Sequence, residues 1–182
     1  HCGKSSDNPR MHMSHAQLKR DLRGAFEFHS TFNNFIQDIV VEGNGEPTLY
    51  PKFADITDFI IRLRNRFFAR LPLVLFTNST NLDNKSVVDA VLRYDQAFFK
   101  LDTADEDVAQ RLDGSRKPIS RIIGDIDEVA RRIRTGKHNL KNLEISTAVA
   151  GSEIGNYESL YQKNFVDAIK RLNPQKLYLY DI

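Results

Sequence analysis

The chain predicts an α/β fold, one parallel sheet with helices packed outside it. Three observations predict it. Apolar stretches of strand length alternate with amphipathic stretches of helix length along all 182 residues. The links between them are short. Residues able to do chemistry collect just past the strand stretches, at the rim where parallel α/β barrels hold their ligands.

The elements follow in order. Ser14 caps a helix to about residue 28, with Leu18, Leu22 and Ala25 on one face and Gln17 in the capping-box place. The apolar run 36–41 is a strand. Gly43, Asn44, Gly45, Glu46 and Pro47 then make a tight turn. A helix over 51–68 follows, with Pro51 in its first turn and Phe53, Ile56, Ile60, Leu63 and Phe67 at helical spacing. Residues 73–76 are the next strand. Asp83 or Asn84 caps a helix over 85–93, residues 96–101 form a strand, and 105–112 a short helix. A break at 114–118 precedes a long amphipathic helix over 122–135. A strand over 143–149, a helix over 157–172 stopped by Asn173 and Pro174, and a strand over 177–181 complete the chain.

Two glycines in the 43–47 turn let backbone approach a ligand that a Cβ would keep away. Carbonyls and the Glu46 carboxylate pointing one way suit an ammonium group. A phosphate would call for a lysine or exposed helix amides, and no Gly-Lys-Ser/Thr follows. Thr77 and Asn78 end the second strand; they either bond a ligand or satisfy the strand-to-loop backbone. Lys100 and Asp102, two apart, point to one side of the third. They are either a rim ion pair or a cation aimed into the barrel mouth. Asn156 caps the helix at Tyr157 or meets a ligand.

Apolar residues make up 41% of the chain and charged residues 27%, with net charge +2, so no general polyanion field is implied. No apolar stretch approaches the roughly 20 residues of a membrane span. A single cysteine excludes an internal disulfide framework and fits a reducing, cytoplasmic location. Arg62, Arg64, Arg66 and Arg70, and the basic run around Arg131 to Lys141, fit solvated helix faces. His12, His15 and His29 show no metal-ligand spacing.

Four segments carry a resemblance. Residues 42–49, Glu-Gly-Asn-Gly-Glu-Pro-Thr-Leu, resemble the "GGEP" element of radical S-adenosylmethionine (SAM) enzymes. Phe76-Thr77-Asn78 resembles their "TNG" strand end, and Phe99-Lys100-Leu101-Asp102 their "SLD" or "KLD" strand end. His1-Cys2 resembles the tail of their cluster motif Cys-x3-Cys-x-aromatic-Cys, with His1 in the aromatic place. The neighbourhood is that of wybutosine-synthesis and glycyl-radical-activating enzymes.

The resemblance implies a partial (β/α)6 TIM-like barrel of parallel strands whose first strand is missing from the chain, a single radical SAM core domain over 1–182 cut short at both ends. Cys2 would be the last of three thiolates on a 4Fe-4S cluster. Two more cysteines are then expected upstream, one three residues before Cys2 and another four before that. Gly43, Gly45 and Glu46 would hold the amino group of SAM, with Pro47 stiffening the turn. Thr77 and Asn78 would lie near the SAM carboxylate or the substrate. Lys100, where many relatives carry serine, would neutralise that carboxylate. Asp102 would bond a ribose hydroxyl or support Lys100, and Asn156 would touch adenosine or substrate.

The implied activity is reductive cleavage of SAM at the cluster, giving a 5'-deoxyadenosyl radical that abstracts hydrogen from an unidentified substrate. The implied partners are a flavodoxin- or ferredoxin-like electron donor and a substrate that is RNA or protein, with no membrane. The alternative is a non-catalytic barrel that binds SAM or a nucleotide without a working cluster, and the lone cysteine favours it. An ordinary α/β nucleotide enzyme ranks last, for want of a phosphate loop.

Overall fold

The computed structural model describes residues 13–31, 36–43, 45–113, 117–150, 155–160 and 162–181. Cys2, Asn44 and residues 151–154, all invoked from sequence, lie outside them. Five strands, Ile39–Val41 (β1), Leu73–Thr77 (β2), Gln96–Lys100 (β3), Glu144–Val149 (β4) and Lys176–Asp181 (β5), form one sheet. All neighbours pair parallel, and the spatial order is the chain order, β1-β2-β3-β4-β5. Parallel neighbours need crossovers, and helices supply them. His15–Ser30 (α1) precedes β1. Phe53–Phe67 (α2), Lys85–Val91 (α3), Glu106–Asp113 (α4), Ile119–Thr135 (α5), Tyr157–Leu160 (α6) and Lys163–Leu172 (α7) connect the strands.

Alternation along each strand separates two faces. Leu73, Leu75 and Thr77 of β2, Ala97 and Phe99 of β3, and Ile145 and Thr147 of β4 are buried against helices. Against them pack Phe53, Ile56, Phe59, Ile60 and Leu63 of α2, and Ile122, Ile126, Val129 and Ile133 of α5. Phe76 and Phe98 lie side by side on the opposite face, their rings stacked at 4.6 Å, and Tyr178 meets Phe98 edge-on at 5.0 Å. That face is wetter: Phe76 is 38% exposed.

Caps sit where the sequence places them. Ser14 accepts the Gln17 N–H at 3.1 Å, and Asn84 accepts the Ser86 N–H. Asn173 ends α7 in the left-handed region (φ 47).

Three expectations are corrected. Pro51 does not open α2, which begins at Phe53; Pro47 instead heads a 3-10 turn, Pro47–Leu49, where its missing N–H costs nothing. The first strand is shorter than 36–41, because pairing with β2 begins at Ile39. The single helix over 157–172 is two. Gln162 is extended, which turns Phe165, Ala168 and Leu172 of α7 inward, while Ser159 of α6 is pinned by bonds to Asn156 O and the Thr103 hydroxyl.

Tyr94 is buried beneath α2 and bonds the Thr57 hydroxyl at 3.2 Å. Burial pushes its phenol from 10.0 up to about 12, because the phenolate would lose its hydration. Below pH 10 both folded and unfolded states hold the proton and stability is unaffected. Above it the unfolded phenol ionises first, so stability should fall by up to about 2–3 kcal/mol as pH approaches 12. Urea unfolding at neutral pH and near pH 11 checks this. The Tyr94→Phe variant, weaker at neutral pH, should lose correspondingly less in alkali.

Candidate cofactor site at the strand rim

Beyond β1 the chain passes through the exposed Gly43 and Gly45. Neither takes a left-handed φ. A Cβ on Gly45 would meet nothing within 4 Å, and one on Gly43 would meet only the Gly45 oxygen and nitrogen, at 3.4 and 3.8 Å. The glycines are therefore not required by turn strain. Their effect is to leave the exposed backbone at these two positions uncovered by a side chain.

Glu46 is the next residue, extended at φ −81 and ψ 116, and it caps the 3-10 turn. Among the described residues its carboxylate accepts four bonds. Oε1 accepts the Thr48 N–H at 3.0 Å, the Thr48 hydroxyl at 2.6 Å and the Thr77 hydroxyl at 2.7 Å. Oε2 accepts the Asn78 N–H at 2.6 Å. Thr48 and Thr77 are themselves buried, so these are charge-assisted bonds with little competition from water. They tie the loop after β1 to the end of β2.

The chain of bonds continues. Thr77 Oγ1 accepts the Ser79 N–H at 3.1 Å. Ser79 has φ 67 and is fully buried. It occupies the third place of the "TNG" pattern, where a glycine would make this turn without the roughly 1–2 kcal/mol that a Cβ costs there. Its hydroxyl is directed at the Lys100 carbonyl oxygen, at 3.5 Å. Asn78 Oδ1 accepts the Thr80 N–H and hydroxyl, closing the loop locally.

At the end of β3, Lys100 Nζ lies 2.6 Å from Asp102 Oδ2, with the aspartate side chain only 3% exposed and the lysine 15%. Asp102 Oδ1 accepts the Ala148 N–H from β4 at 2.9 Å. Asn156, fully buried, works as an extra peptide group: its Nδ2 donates to Ala148 O and Asp102 O, and its Oδ1 accepts the Ala150 N–H. Its side-chain amide is thus occupied by the chain at the ends of β3 and β4, while its backbone carbonyl accepts the Leu160 N–H and opens α6.

The residues proposed from sequence therefore gather on one rim. Glu46, Thr77, Lys100, Asp102 and Asn156 form a nearly continuous polar belt from β1 to β4, with Gly43, Gly45 and Pro47 at one end. Sequence reasoning missed Thr48 and Ser79. The signal for Ser79 was its place after Thr77-Asn78, where the pattern wants glycine. Among the described residues no group of three or more His, Cys, Asp or Glu could hold a metal ion. A cavity of about 270 Å³ lined by Asp95, Gln96, Glu144 and Lys176 lies at the opposite, N-terminal ends of the strands, away from this belt.

No family model matches the chain. UPF0026 protein MJ1312 of Methanocaldococcus jannaschii is 26% identical over 148 residues, which is 81% of this chain and 42% of the relative. The structure of Streptococcus suis SuiB bound to S-adenosylmethionine matches with TM-score 0.62 at 18% identity, covering 90% of this chain and 33% of that one. The structure of TYW1 with a lysine-pyruvate adduct bound matches with TM-score 0.59 at 18% identity, covering 92% and 51%. SuiB bound to its precursor peptide SuiA gives TM-score 0.62 at 17% identity, covering 90% and 32%. The chain thus spans between a third and about a half of these proteins. The likeness is one of fold, and the five parallel strands with helices outside agree with the α/β class expected from the sequence. Among the described residues no helix is long and apolar enough to cross a membrane.

Replacing Asn156 by alanine strands the Ala150 N–H and removes the donor to two carbonyls in a fully buried place. The expected loss is about 2–4 kcal/mol of unfolding free energy, read by urea denaturation. A loss under about 0.5 kcal/mol would mean that water replaces the amide.

Proposed function

We propose that the chain is the SAM-binding core of a radical SAM enzyme. The observation that supports this best is the pairing of opposite electrostatic features on one rim of a matching fold. The methionyl end of SAM carries an ammonium and a carboxylate on one carbon. The exposed backbone at Gly43 and Gly45, backed by Glu46, suits the ammonium. Lys100, held by Asp102 at the end of β3, suits the carboxylate. Thr77 and Asn78 form the strand end between them, and Asn156 fixes the Asp102 backbone.

In this reading Cys2 is one thiolate of a 4Fe-4S cluster, and its soft, electron-donating sulfur fits that role. Bound there, such a cluster would supply the one-electron reduction of the sulfonium by which carbon-sulfur cleavage would yield methionine and a hydrogen-abstracting 5'-deoxyadenosyl radical. The residues of this chain bind and orient. The turn and Lys100 fix both methionyl charges, which sets where the sulfonium lies. The belt holds those groups before SAM arrives, so less ordering is left to binding. A flavodoxin- or ferredoxin-like protein supplies the electron. The SuiB structure with a precursor peptide favours a polypeptide as substrate class, with RNA the other class. A reducing cytoplasm suits both cluster and donor.

The second reading, a barrel that binds SAM without a working cluster, draws on the single cysteine of this chain. The two are separated with protein expressed from its complete gene and reconstituted anaerobically with iron and sulfide. The enzyme reading predicts a brown protein that binds SAM and, once reduced, releases methionine and 5'-deoxyadenosine. Binding without iron or cleavage supports the second reading, and no binding at all defeats both. Within the first, Lys100→Met should weaken SAM at least about tenfold while changing 5'-methylthioadenosine, which lacks the carboxylate, less than about twofold. Equal losses for both ligands would remove Lys100 from carboxylate recognition.

A further inference from the structure

We propose that Lys117 is a positioning residue for the SAM site. It holds Thr80, Thr80 holds the side-chain oxygen of Asn78, and the remaining Asn78 Nδ2 donates to the methionyl carboxylate beside Lys100. This rests on the SAM-binding reading above and adds to it a residue that does not touch the ligand. Lys117 stands two residues before α5. Its Nζ donates to the Thr80 carbonyl oxygen at 2.9 Å, and it lies 2.7 Å from Asp125 Oδ2 and 3.2 Å from Asp83 Oδ2. An ammonium has three N–H donors, and these three oxygens lie within reach of it. The Lys117 and Asp125 side chains are only 17% and 13% exposed, so salt and water screen the pair little. The lysine therefore clamps α5 to the loop between β2 and α3.

What the clamp fixes is the orientation of an amide. Thr80 gives both its N–H, at 3.0 Å, and its hydroxyl, at 2.7 Å, to Asn78 Oδ1. A backbone N–H only donates, so the Asn78 atom facing it is the oxygen and the other is NH2. Among the described residues that Nδ2 has no hydrogen-bond partner, while the Asn78 backbone N–H is committed to Glu46. Thr77 stands opposite Phe99 in the ladder, so Asn78 and Lys100 are the next residues along two neighbouring strands. A carboxylate only accepts, and it has two oxygens. The Lys100 ammonium serves one and the Asn78 amide the other. An unheld asparagine would lose side-chain freedom on binding, and the Thr80 latch removes that cost beforehand.

The test uses the protein from its complete gene, carrying its reconstituted cluster, in two measurements. First, without SAM, the Thr80 amide should exchange slowly in the parent and at least about tenfold faster in Lys117→Met. Equal rates would overturn the latch, whether or not SAM binds. Second, Lys117→Met and Asn78→Ala should each weaken SAM about tenfold, the worth of one hydrogen bond to a charged group, and change 5'-methylthioadenosine less than about twofold. The double variant should bind SAM no worse than about the larger single loss. Equal losses for both ligands would mean that Lys117 serves only the fold, and additive losses that it does not act through Asn78; either result overturns the proposal. If Lys117→Met does not fold, Thr80→Val decides, because it removes one of the two bonds to Oδ1. It should weaken SAM alone by about threefold, and unchanged SAM affinity would overturn the proposal. If the exchange result holds but the parent binds no SAM, the latch stands and the SAM reading is what fails.

Discussion

A carboxylate half-removed from water must find donors, and Glu46 finds four in neighbouring chain. The rest of the rim depends on that requirement. β1 is only three residues long and pairs with β2 over three positions, so its ladder alone holds the following turn weakly. The bonds from Thr48, Thr77 and Asn78 supply what the ladder does not. They act where the charge is partly buried, and each is stronger than a neutral bond would be.

The same logic runs across the sheet. Helix-facing residues such as Leu75, Phe99 and Ile145 are wholly buried and fix where the strands run, but apolar packing does not fix the angle of a loop. Polar side chains at the strand ends do that. Asp102 joins β3 to β4 through the Ala148 N–H, and Asn156 joins both to the loop after β4. The cost is a set of buried polar groups and one strained serine, accepted where function needs defined geometry. Packing thus places the strands, and hydrogen bonds aim their ends.

Much of this was legible in the sequence. Every strand was visible as an apolar run, and Ser14, Asn84 and Asn173 announced helix boundaries by capping chemistry that is local. Clustering of Gly43 to Pro47, Thr77, Lys100 and Asp102 on one rim followed from parallel topology alone. What the sequence hid was which atom bonds which. Glu46 reads from the sequence as a ligand group, and its bond to Thr77, 31 residues on, is a further tie to the fold that no local pattern announces. Asn156 reads as a cap because it precedes a helix, and its side chain in fact bonds Asp102, Ala148 and Ala150 at the ends of β3 and β4. The split of α6 from α7 was hidden for the same reason: Ser159 is held by Thr103, 56 residues away. Pairings over such separations leave no local pattern to detect.

The most direct measurement of the central claim is a crystal structure of the cluster-loaded protein with SAM bound. The predicted result has the methionyl nitrogen about 3 Å from carbonyl oxygens of Gly43 or Gly45, the methionyl carboxylate beside Lys100, and Glu46 still holding Thr77 and Asn78. SAM bound away from this rim, or with its carboxylate remote from Lys100, would contradict it.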